Sequence, residues 1–531
     1  MLKKFKLFVH IVLFSVYPAL FLIVNNIVEL RIQDIFSPAA LLILISTLIF
    51  ICIKIFIKDI SKTAIFTTTI SIFIFNANFF YKALNNFLGV NKLISALIFF
   101  TVIIVVLYLL HSKIKETEKI TNILNFTSIS LIIICLLGLP KEIFTDSINK
   151  FKTTHKKNIS FNKNYPNILY IILDGYSSNN TLTKYYGFDN SEFTSWLEEK
   201  GFYVAKNSTA NYPITHMSIT SSLNMNYIHD KCNEDNCAYQ LSKLRKTSSV
   251  PAFLKKMGYE FIHYDGSGWF SDFQEQANKK SSIRENQFNI QYFLYDNSIL
   301  AFISNKSKER VIEFLWESRR NWQEKTFESI IKTCENPKIS NKFIYAHFDL
   351  PHPPYLYDKY GKKITRDRTP LMEWDQKQLY LDYIIYTNNK IKEVIGEILA
   401  KSPDNNIIIL QSDHGSHHYI VKHMIESGFF KNQNSVLDSN ELKKDLCKSE
   451  IDYLSPKEEM IKPIFGILNA FYIPEKNRIS YNFYETITPV NSFRVIFNDL
   501  FQADYPLLED KNYFTYYGCG FIQTDVTEKL K

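Results

Sequence analysis

The sequence predicts an α/β fold, with a mostly parallel central sheet between helices, placed after a block of membrane-spanning helices. Three observations lead to this prediction. Long apolar runs fill the first 140 residues, and each is near the roughly 20 residues that cross a bilayer. Short apolar runs rich in β-branched and aromatic residues recur after residue 166, as in strands buried on both faces. Amphipathic helical patterns separate them, which favours a parallel sheet covered on both sides.

The N-terminal apolar runs number five, and Asn76 and Asn78 interrupt the third. The runs cover residues 7–27, 38–57, 64–80, 93–110 and 123–139. Lysines cluster before the first run and after the second and fourth: Lys3, Lys4, Lys6, Lys58, Lys62, Lys113, Lys115 and Lys119. By the positive-inside rule the N-terminus is then cytoplasmic, and everything beyond Leu139 lies outside. A cleaved signal peptide is the alternative for the first run, but no small-x-small cleavage site follows it.

The domain organisation expected from this pattern has three parts. A transmembrane region of five helices covers residues 1–140, a Lys-, Asn-, Thr- and Ser-rich juxtamembrane stalk covers 141–165, and a soluble domain covers 166–531. Residues 1–162 hold 17 Lys+Arg against 7 Asp+Glu, whereas residues 163–531 hold 44 against 46. The soluble domain therefore lacks the basic excess of a nucleic-acid-binding surface, and no nucleic-acid partner is expected.

Seven cysteines in 531 residues are too few for a disulfide scaffold. Cys232 and Cys237 are close enough in sequence to close a small loop, and an extracytoplasmic location would permit the bridge. The sequence leaves open whether these two are bonded.

Acidic residues follow four of the apolar runs that we interpret as strands. These runs begin at Asn167, Tyr259, Lys342, Asn405 and Phe465, and the clearest helical pattern covers residues 373–400. Asp174, Asp265, Asp349 and the pair Asp413–His414 lie at the carboxyl ends of runs, where open α/β sheets form ligand sites. Turn chemistry explains one such acid. Four of them, one followed by His and Gly, predict a metal site.

Several segments together resemble the sulfatase-like family of the alkaline phosphatase superfamily. They are NILYIILDG, NYPITHMSITSSLNM, HFDLPHPPYLYD, QSDHG, ILNAFYIP and ITPVNSFRVIFNDLF. With the apolar region in front, the chain is similar to the membrane-anchored branch of phosphoethanolamine transferases and lipoteichoic acid synthases. The resemblance implies one or two divalent ions, zinc or manganese, held by Asp174, Thr215, Asp413 and His414. Such an ion lowers the pKa of a coordinated hydroxyl and polarises a phosphoryl or sulfuryl oxygen.

Thr215 is the nucleophile that the resemblance implies, and it would carry a covalent intermediate. The local sequence agrees, because Pro213 stops any preceding helix and a new helix can begin after it. The hydroxyl would then face a helix N-terminus, which stabilises an alkoxide and a transferred anion. From local sequence alone an ordinary N-cap role is the alternative, and Ser218 is the alternative nucleophile.

His352 matches a substrate-facing histidine of the transferase relatives. Its flanking prolines make the loop rigid, and the resemblance implies that it contacts the transferred group or protonates the leaving oxygen. Asp349 is a second substrate-binding candidate, while His347 belongs either to the site or to strand packing. An additional late histidine of two-metal relatives could be any one of His417, His418 and His423.

Two departures from the family pattern bear on the substrate. No cysteine lies in the C/S-x-P/A-x-R context that is oxidised to formylglycine, so a conventional sulfatase mechanism is disfavoured. The membrane-bound transferases often carry Glu where this chain has Asp174, within the string LDG. Some phosphodiesterase and phosphomutase relatives have LDG at this point, so the resemblance leaves the exact substrate class open.

The function predicted is that of a multi-pass enzyme of the bacterial inner membrane, with its catalytic domain in the periplasm or outside the cell. It would transfer a phosphoethanolamine- or phosphoglycerol-type group from a membrane phospholipid donor to an envelope glycan or lipid. A sulfate or phosphate ester hydrolase using the same residues is one alternative. A catalytically inactive membrane protein that binds a glycan or a partner is another.

Overall fold

The computed structural model describes most of the chain. The described residues are 2–25, 35–89, 91–113, 115–138, 165–231, 237–265, 276–280, 294–299, 305–335, 341–364, 373–427, 440–455, 457–475, 482–516, 519–520 and 522–531. The chain divides into two compact units, one of Met1–Lys157 with Arg284–Leu315 and one of Asn158–Ile283 with Trp316–Lys531. The predicted stalk falls almost wholly outside the described residues, so the boundaries at 140 and 165 remain predictions.

The first unit contains six N-terminal helices. They are α1 (Leu2–Asn25), α2 (Phe36–Phe56), α3 (Ile60–Phe75), α4 (Ala77–Leu88), α5 (Lys92–Lys113) and α6 (Thr117–Leu137). Four of them, α1, α2, α5 and α6, are long and apolar enough to cross a membrane. Helices α3 and α4 have only 16 and 12 residues, so they count as a fifth span only when taken together, with a bend of 64° between them. The bend lies at Asn76, one of the two residues that interrupt the third apolar run.

Small polar side chains pack between these helices, and many large apolar side chains face outward. Helix α1 packs against α2, α3 and α6, and the hydroxyl of Ser46 is 2.7 Å from that of Ser15 and 3.0 Å from that of Ser71. Large apolar side chains of the same helices are exposed, among them Phe126 and Leu137. Small polar residues between helices and apolar residues outside are the arrangement expected in lipid.

The second unit is built on a seven-stranded sheet that confirms the predicted α/β class. Its strands lie in the order β2-β7-β6-β1-β5-β3-β4. The strands are β1 (Asn167–Leu173), β2 (Phe202–Val204), β3 (Glu260–Asp265), β4 (Lys279–Lys280), β5 (Lys342–Phe348), β6 (Asn406–Gln411) and β7 (Asn469–Tyr472). Neighbours pair in parallel except at β7, which is antiparallel to both β6 and β2. A separate hairpin pairs β8 (Tyr513–Phe514) with β9 (Thr524–Asp525).

Helices follow the strands as the sequence pattern predicts. The described ones are α7 (Asn179–Thr181), a short π-helix (Leu182–Tyr186), α8 (Ser191–Glu199), α9 (Thr215–Asn224), α10 (Cys237–Lys246), α11 (Ser249–Lys256), α12 (Asn305–Glu335), α13 (Lys377–Lys401), α14 (His418–Glu426), α15 (Asn440–Leu454), α16 (Glu458–Phe465), α17 (Pro489–Phe501) and α18 (Thr527–Leu530). Helix α13 is the helix predicted over residues 373–400. Helix α12 belongs to the second unit from Trp316 onward.

Strand β1 lies at the centre of the sheet and is buried along its whole length. One face of it contributes Tyr170 to the main core, where its ring packs edge-on at 5.0 Å from Phe493 of α17. Both neighbours, β5 and β6, run parallel to it. The carboxyl end of β1 is therefore held from two sides, and residues that follow these three strands meet at one edge of the sheet.

One disulfide in the second unit was not predicted. It joins Cys447 of α15 to Cys519, 72 residues later in the sequence. Cys237 is also disulfide-bonded, while Cys232 lies outside the described residues.

Candidate active site

Acidic residues at three adjacent strand ends come together, as the sequence predicts. Asp174 follows β1, Asp349 follows β5 and Asp413 follows β6. Two groups of donor atoms lie close enough together to hold a metal ion. We call Asp174, Asp413 and His414 the first triad, and Asp174, His347 and Asp349 the second triad. Asp265, the fourth acid, is the last residue of β3 and is paired with His347 of β5. It therefore lies one strand further from Asp174.

The first triad brings three donor atoms to one point. His414 Nε2 lies 3.5 Å from Asp174 Oδ1 and 3.5 Å from Asp413 Oδ2. Both carboxylate oxygens are buried and have no hydrogen-bond partner among the described residues. The Thr215 hydroxyl joins them at 3.0 Å from the same nitrogen.

Backbone groups fix the orientation of these donors. Asp413 Oδ1 accepts hydrogen bonds from the backbone N–H of Gly175 at 3.1 Å and of His414 at 2.9 Å. His414 Nδ1 donates to the Gly415 carbonyl at 2.7 Å, which leaves the lone pair of Nε2 facing the two free carboxylate oxygens. A lone pair and two anionic oxygens repel one another unless a cation lies between them. The donor set therefore fits a divalent metal ion.

The pKa values of the two carboxyl groups reflect the same crowding. Burial raises the pKa of Asp413, and the nearby Asp174 carboxylate raises it further. Burial acts in the same direction on Asp174, but His352, His347 and His414 together outweigh it and hold the pKa of Asp174 below its usual range. Adjacent buried carboxylates oppose each other's ionisation, and a bound cation would stabilise both in the charged form.

Thr215 begins helix α9, and its half-buried side chain is the hydroxyl that reaches the first triad. Ser218, the alternative nucleophile, lies one turn further into the helix. Its hydroxyl is buried and donates to the backbone carbonyl of Asp413 at 2.6 Å. Of the two candidates, Thr215 therefore has its hydroxyl oxygen next to the donor atoms of the first triad. The Ser218 hydroxyl is instead bonded to the backbone.

Two glycines let the loops around the first triad approach closely. Gly175 has φ +74°, and a Cβ added there would lie 2.8 Å from Cη2 of Trp374. A Cβ on Gly415 would lie 2.2 Å from the carbonyl oxygen of Pro463. The glycine of LDG and that of DHG are thus required by space, and at Gly175 also by backbone conformation.

His352 lies in the loop after β5, half-buried against Trp374. The two rings meet edge-on with their centroids 5.2 Å apart. Trp374 is fully buried and contacts His417 as well, at 5.6 Å. Trp374 was not predicted from the sequence, because a single tryptophan before a helix carries no pattern that marks a site.

The second triad lies next to an arginine that was not predicted from the sequence. His347 Nε2 lies 3.2 Å from Asp174 Oδ2, so His347 is both a buried strand residue and a neighbour of the site. Asp349 Oδ2 forms an ion pair with Arg319 of α12 at 3.1 Å. Burial raises the pKa of Asp349, and the Arg319 guanidinium acts against that rise. Arg319 is 30 residues away in sequence, and no local motif links it to Asp349.

The three late histidines have different surroundings. The His417 ring lies 4.3 Å from that of His414, and its Nε2 donates to the Pro213 carbonyl at 2.8 Å. His418 Nδ1 donates to the Trp374 carbonyl at 2.7 Å. His423 stacks on Tyr453 at 5.1 Å. His417 is therefore the one of the three that packs against the first triad.

A sequence model of the family Sulfatase matches residues 166–452 of this chain. Among solved structures, the C-terminal periplasmic domain of EptC from Escherichia coli aligns at 13% identity with a TM-score of 0.41, over 68% of this chain and 93% of that chain. Lipooligosaccharide phosphoethanolamine transferase A from Neisseria meningitidis, an integral membrane protein, aligns at 11% identity with a TM-score of 0.37, over 92% of this chain and 95% of that chain. A putative sulfatase from Bacteroides thetaiotaomicron aligns at 12% identity with a TM-score of 0.34, over 64% of this chain and 72% of that chain.

No curated protein matches the chain. The family match nevertheless covers more than half of it and includes every residue of both triads. The chain therefore belongs to the sulfatase family, and it is an enzyme of the alkaline phosphatase superfamily that carries apolar helices at its N-terminus.

Proposed function

We propose that this enzyme transfers a phosphoethanolamine- or phosphoglycerol-type group from a membrane phospholipid to an envelope glycan or lipid, with Thr215 as its nucleophile. The observation that carries the proposal is the Thr215 hydroxyl at the start of α9, 3.0 Å from His414 Nε2 and next to two buried carboxylates. Since no cysteine has the formylglycine context, an unmodified threonine is the nucleophile that this site offers.

Asp174, Asp413, His414 and Thr215 would hold one divalent ion, and their oxygen and nitrogen donors suit zinc or manganese. When bound, such an ion lowers the pKa of the threonine hydroxyl and balances charge on a phosphoryl oxygen. The chain's own residues position the reacting groups: the backbone N–H groups of Gly175 and His414 orient Asp413.

The first half-reaction would form a covalent bond between Thr215 Oγ1 and phosphorus. The Thr215 proton passes to solvent, the bond from phosphorus to the diacylglycerol oxygen breaks, and His352 donates a proton to that oxygen. Diacylglycerol leaves, and the headgroup phosphate stays on Thr215. The N-terminus of α9, a helix of 10 residues, stabilises the anionic group on its first residue.

The second half-reaction would return Thr215 to its starting state. The acceptor hydroxyl attacks phosphorus, the Thr215 oxygen leaves and regains a proton from solvent, and His352, now neutral, takes the acceptor's proton. The product is a phosphodiester on the acceptor. With water in place of the acceptor, the same steps would release the headgroup phosphate, which is the hydrolase alternative.

The architecture supports a phospholipid donor. Apolar helices would anchor the enzyme in a membrane, which makes membrane phospholipids an available source of donor headgroups. The disulfide between Cys447 and Cys519 fits an oxidising compartment. We therefore place the catalytic domain, residues 166–531, in the periplasm or outside the cell, the N-terminus in the cytoplasm, and α3 with α4 as the third of five spans.

The full-length chain in phospholipid vesicles tests this proposal. The vesicles contain phosphatidylethanolamine or phosphatidylglycerol with a labelled headgroup, and bacterial envelope extract supplies acceptors. We expect diacylglycerol release and transfer of the label to a lipid or glycan, both abolished in Thr215→Ala. Label appearing only as a free headgroup phosphate would favour the hydrolase. No diacylglycerol release from either phospholipid would overturn the proposed donor class.

A further inference from the structure

The second triad offers donors of the same kinds as the first triad and shares Asp174 with it. Judged by the types of donor atom alone, the two triads could hold two adjacent metal ions. The two triads differ in the charge beside them. Arg319 Nη2 lies 3.1 Å from Asp349 Oδ2, with side chains only 17% and 6% exposed. Within the described part of the chain, no lysine or arginine forms an ion pair with Asp413.

We infer that Arg319 limits this site to a single divalent ion, because its guanidinium supplies the positive charge that a second ion would bring to Asp349. An arginine side chain stays protonated in proteins. A charge-assisted bond of this length also occupies one lone pair of Asp349 Oδ2. The inference rests on the metal-dependent chemistry proposed above, and it concerns only the number of ions.

The buried surroundings favour the same count. Asp174, Asp349 and Asp413 are each at most 5% exposed, and the Arg319 side chain is only 17% exposed. A second divalent ion beside an intact Arg319 would place two cations next to each other away from water, which is unfavourable.

Metal stoichiometry tests the inference without any activity assay. The full-length chain in detergent is stripped with a chelator, loaded with zinc alone and desalted, and its bound zinc is measured by mass spectrometry of the metal and by calorimetric titration. We expect one ion per chain for the native sequence and two for Arg319→Met. Arg319→Lys, which keeps a positive charge, is the matched control and should stay at one.

Further variants assign the ions to the triads. Asp413→Asn should remove the ion of the native chain and leave one in the Arg319→Met background. Adding Asp349→Asn to Arg319→Met should return the count from two to one. Arg319→Gln serves in place of Arg319→Met if thermal unfolding indicates that the methionine variant is not folded.

Two results would overturn the inference: a native chain that binds two ions or none, and a folded Arg319→Met or Arg319→Gln variant that stays at one. The proposed transferase function fails on a different measurement, since it is Thr215→Ala retaining diacylglycerol release that would contradict it. The failure of either proposal is therefore recognised separately.

Discussion

The two triads at the sheet edge contain similar residues but have different surroundings. In the first triad two carboxylate oxygens and one imidazole nitrogen converge, and neither oxygen has a hydrogen-bond partner among the described residues. In the second triad the Asp349 carboxylate already has the Arg319 guanidinium as its counter-ion. Acids at adjacent strand ends therefore have different partners, and we expect them to have different roles.

Those facing residues come from helices that are distant in sequence. Helix α9 brings Thr215 to the first triad, whereas α12 brings Arg319 to the second. We propose nucleophile and metal chemistry for the first triad and charge balance for the second. Variants in the two triads should differ in their effects on zinc binding and activity. Equal effects at both triads would contradict this difference.

Thr215→Ala should have the largest effect, a loss of about 10³-fold or more in diacylglycerol release, as expected when a covalent nucleophile is removed. The rate is measured in phospholipid vesicles. Thr215→Ser keeps a hydroxyl and should retain much of the activity. Ser218→Ala, one turn away, should stay within about threefold, because that hydroxyl makes a structural bond. If Ser218→Ala were as inactive as Thr215→Ala, the assignment of Thr215 rather than Ser218 as the nucleophile would be contradicted.

Asp413→Asn and Asp349→Asn make the same chemical change in the two triads. Asp413→Asn should weaken zinc binding by about 10²-fold or more and reduce activity with it, because an ionised ligand is lost. Asp349→Asn should leave zinc affinity within about tenfold, since Asp349 pairs with Arg319 instead. Zinc titration of both purified variants measures the difference. Equal losses of affinity would contradict the separation of the triads.

His352→Gln should reduce kcat by about 10²-fold while zinc content is unchanged, because the proposed role of His352 is proton transfer. Both quantities are measured on the same preparation. A donor whose leaving group is a better anion than diacylglycerol, such as a nitrophenyl phosphodiester, should be much less affected. A loss of zinc in this variant would place His352 among the ligands instead.

Gly175→Ala should have the smallest effect of the four and act on stability first. The added Cβ meets Trp374 at 2.8 Å in a backbone conformation that favours glycine, so the free energy of unfolding should fall by about 1–3 kcal/mol. Thermal unfolding of the purified chain measures this. Gly396→Ala is the control, because nothing lies within 4 Å of a Cβ added in helix α13. An unchanged melting temperature in Gly175→Ala would contradict the close packing at Asp174.

The sequence predicted those parts of the site that have local patterns. Strands such as β1 are continuous apolar runs because both of their faces are buried, and an acid after such a run is visible in the sequence. Asn76 likewise marks the interruption of the third apolar run, where the chain bends. Arg319, Trp374 and the Cys447–Cys519 disulfide depend on contacts between distant segments. One sequence contains no local signal for such contacts, so only the fold reveals them.

The most direct test of the account is the mass of the peptide that contains Thr215, residues 207–231, after the full-length enzyme has been incubated with phospholipid and no acceptor. The account predicts a phosphoethanolamine or phosphoglycerol adduct on Thr215, lost when acceptor is added and never formed in Thr215→Ala. Diacylglycerol release with an unmodified peptide, or an adduct on another residue, would contradict it.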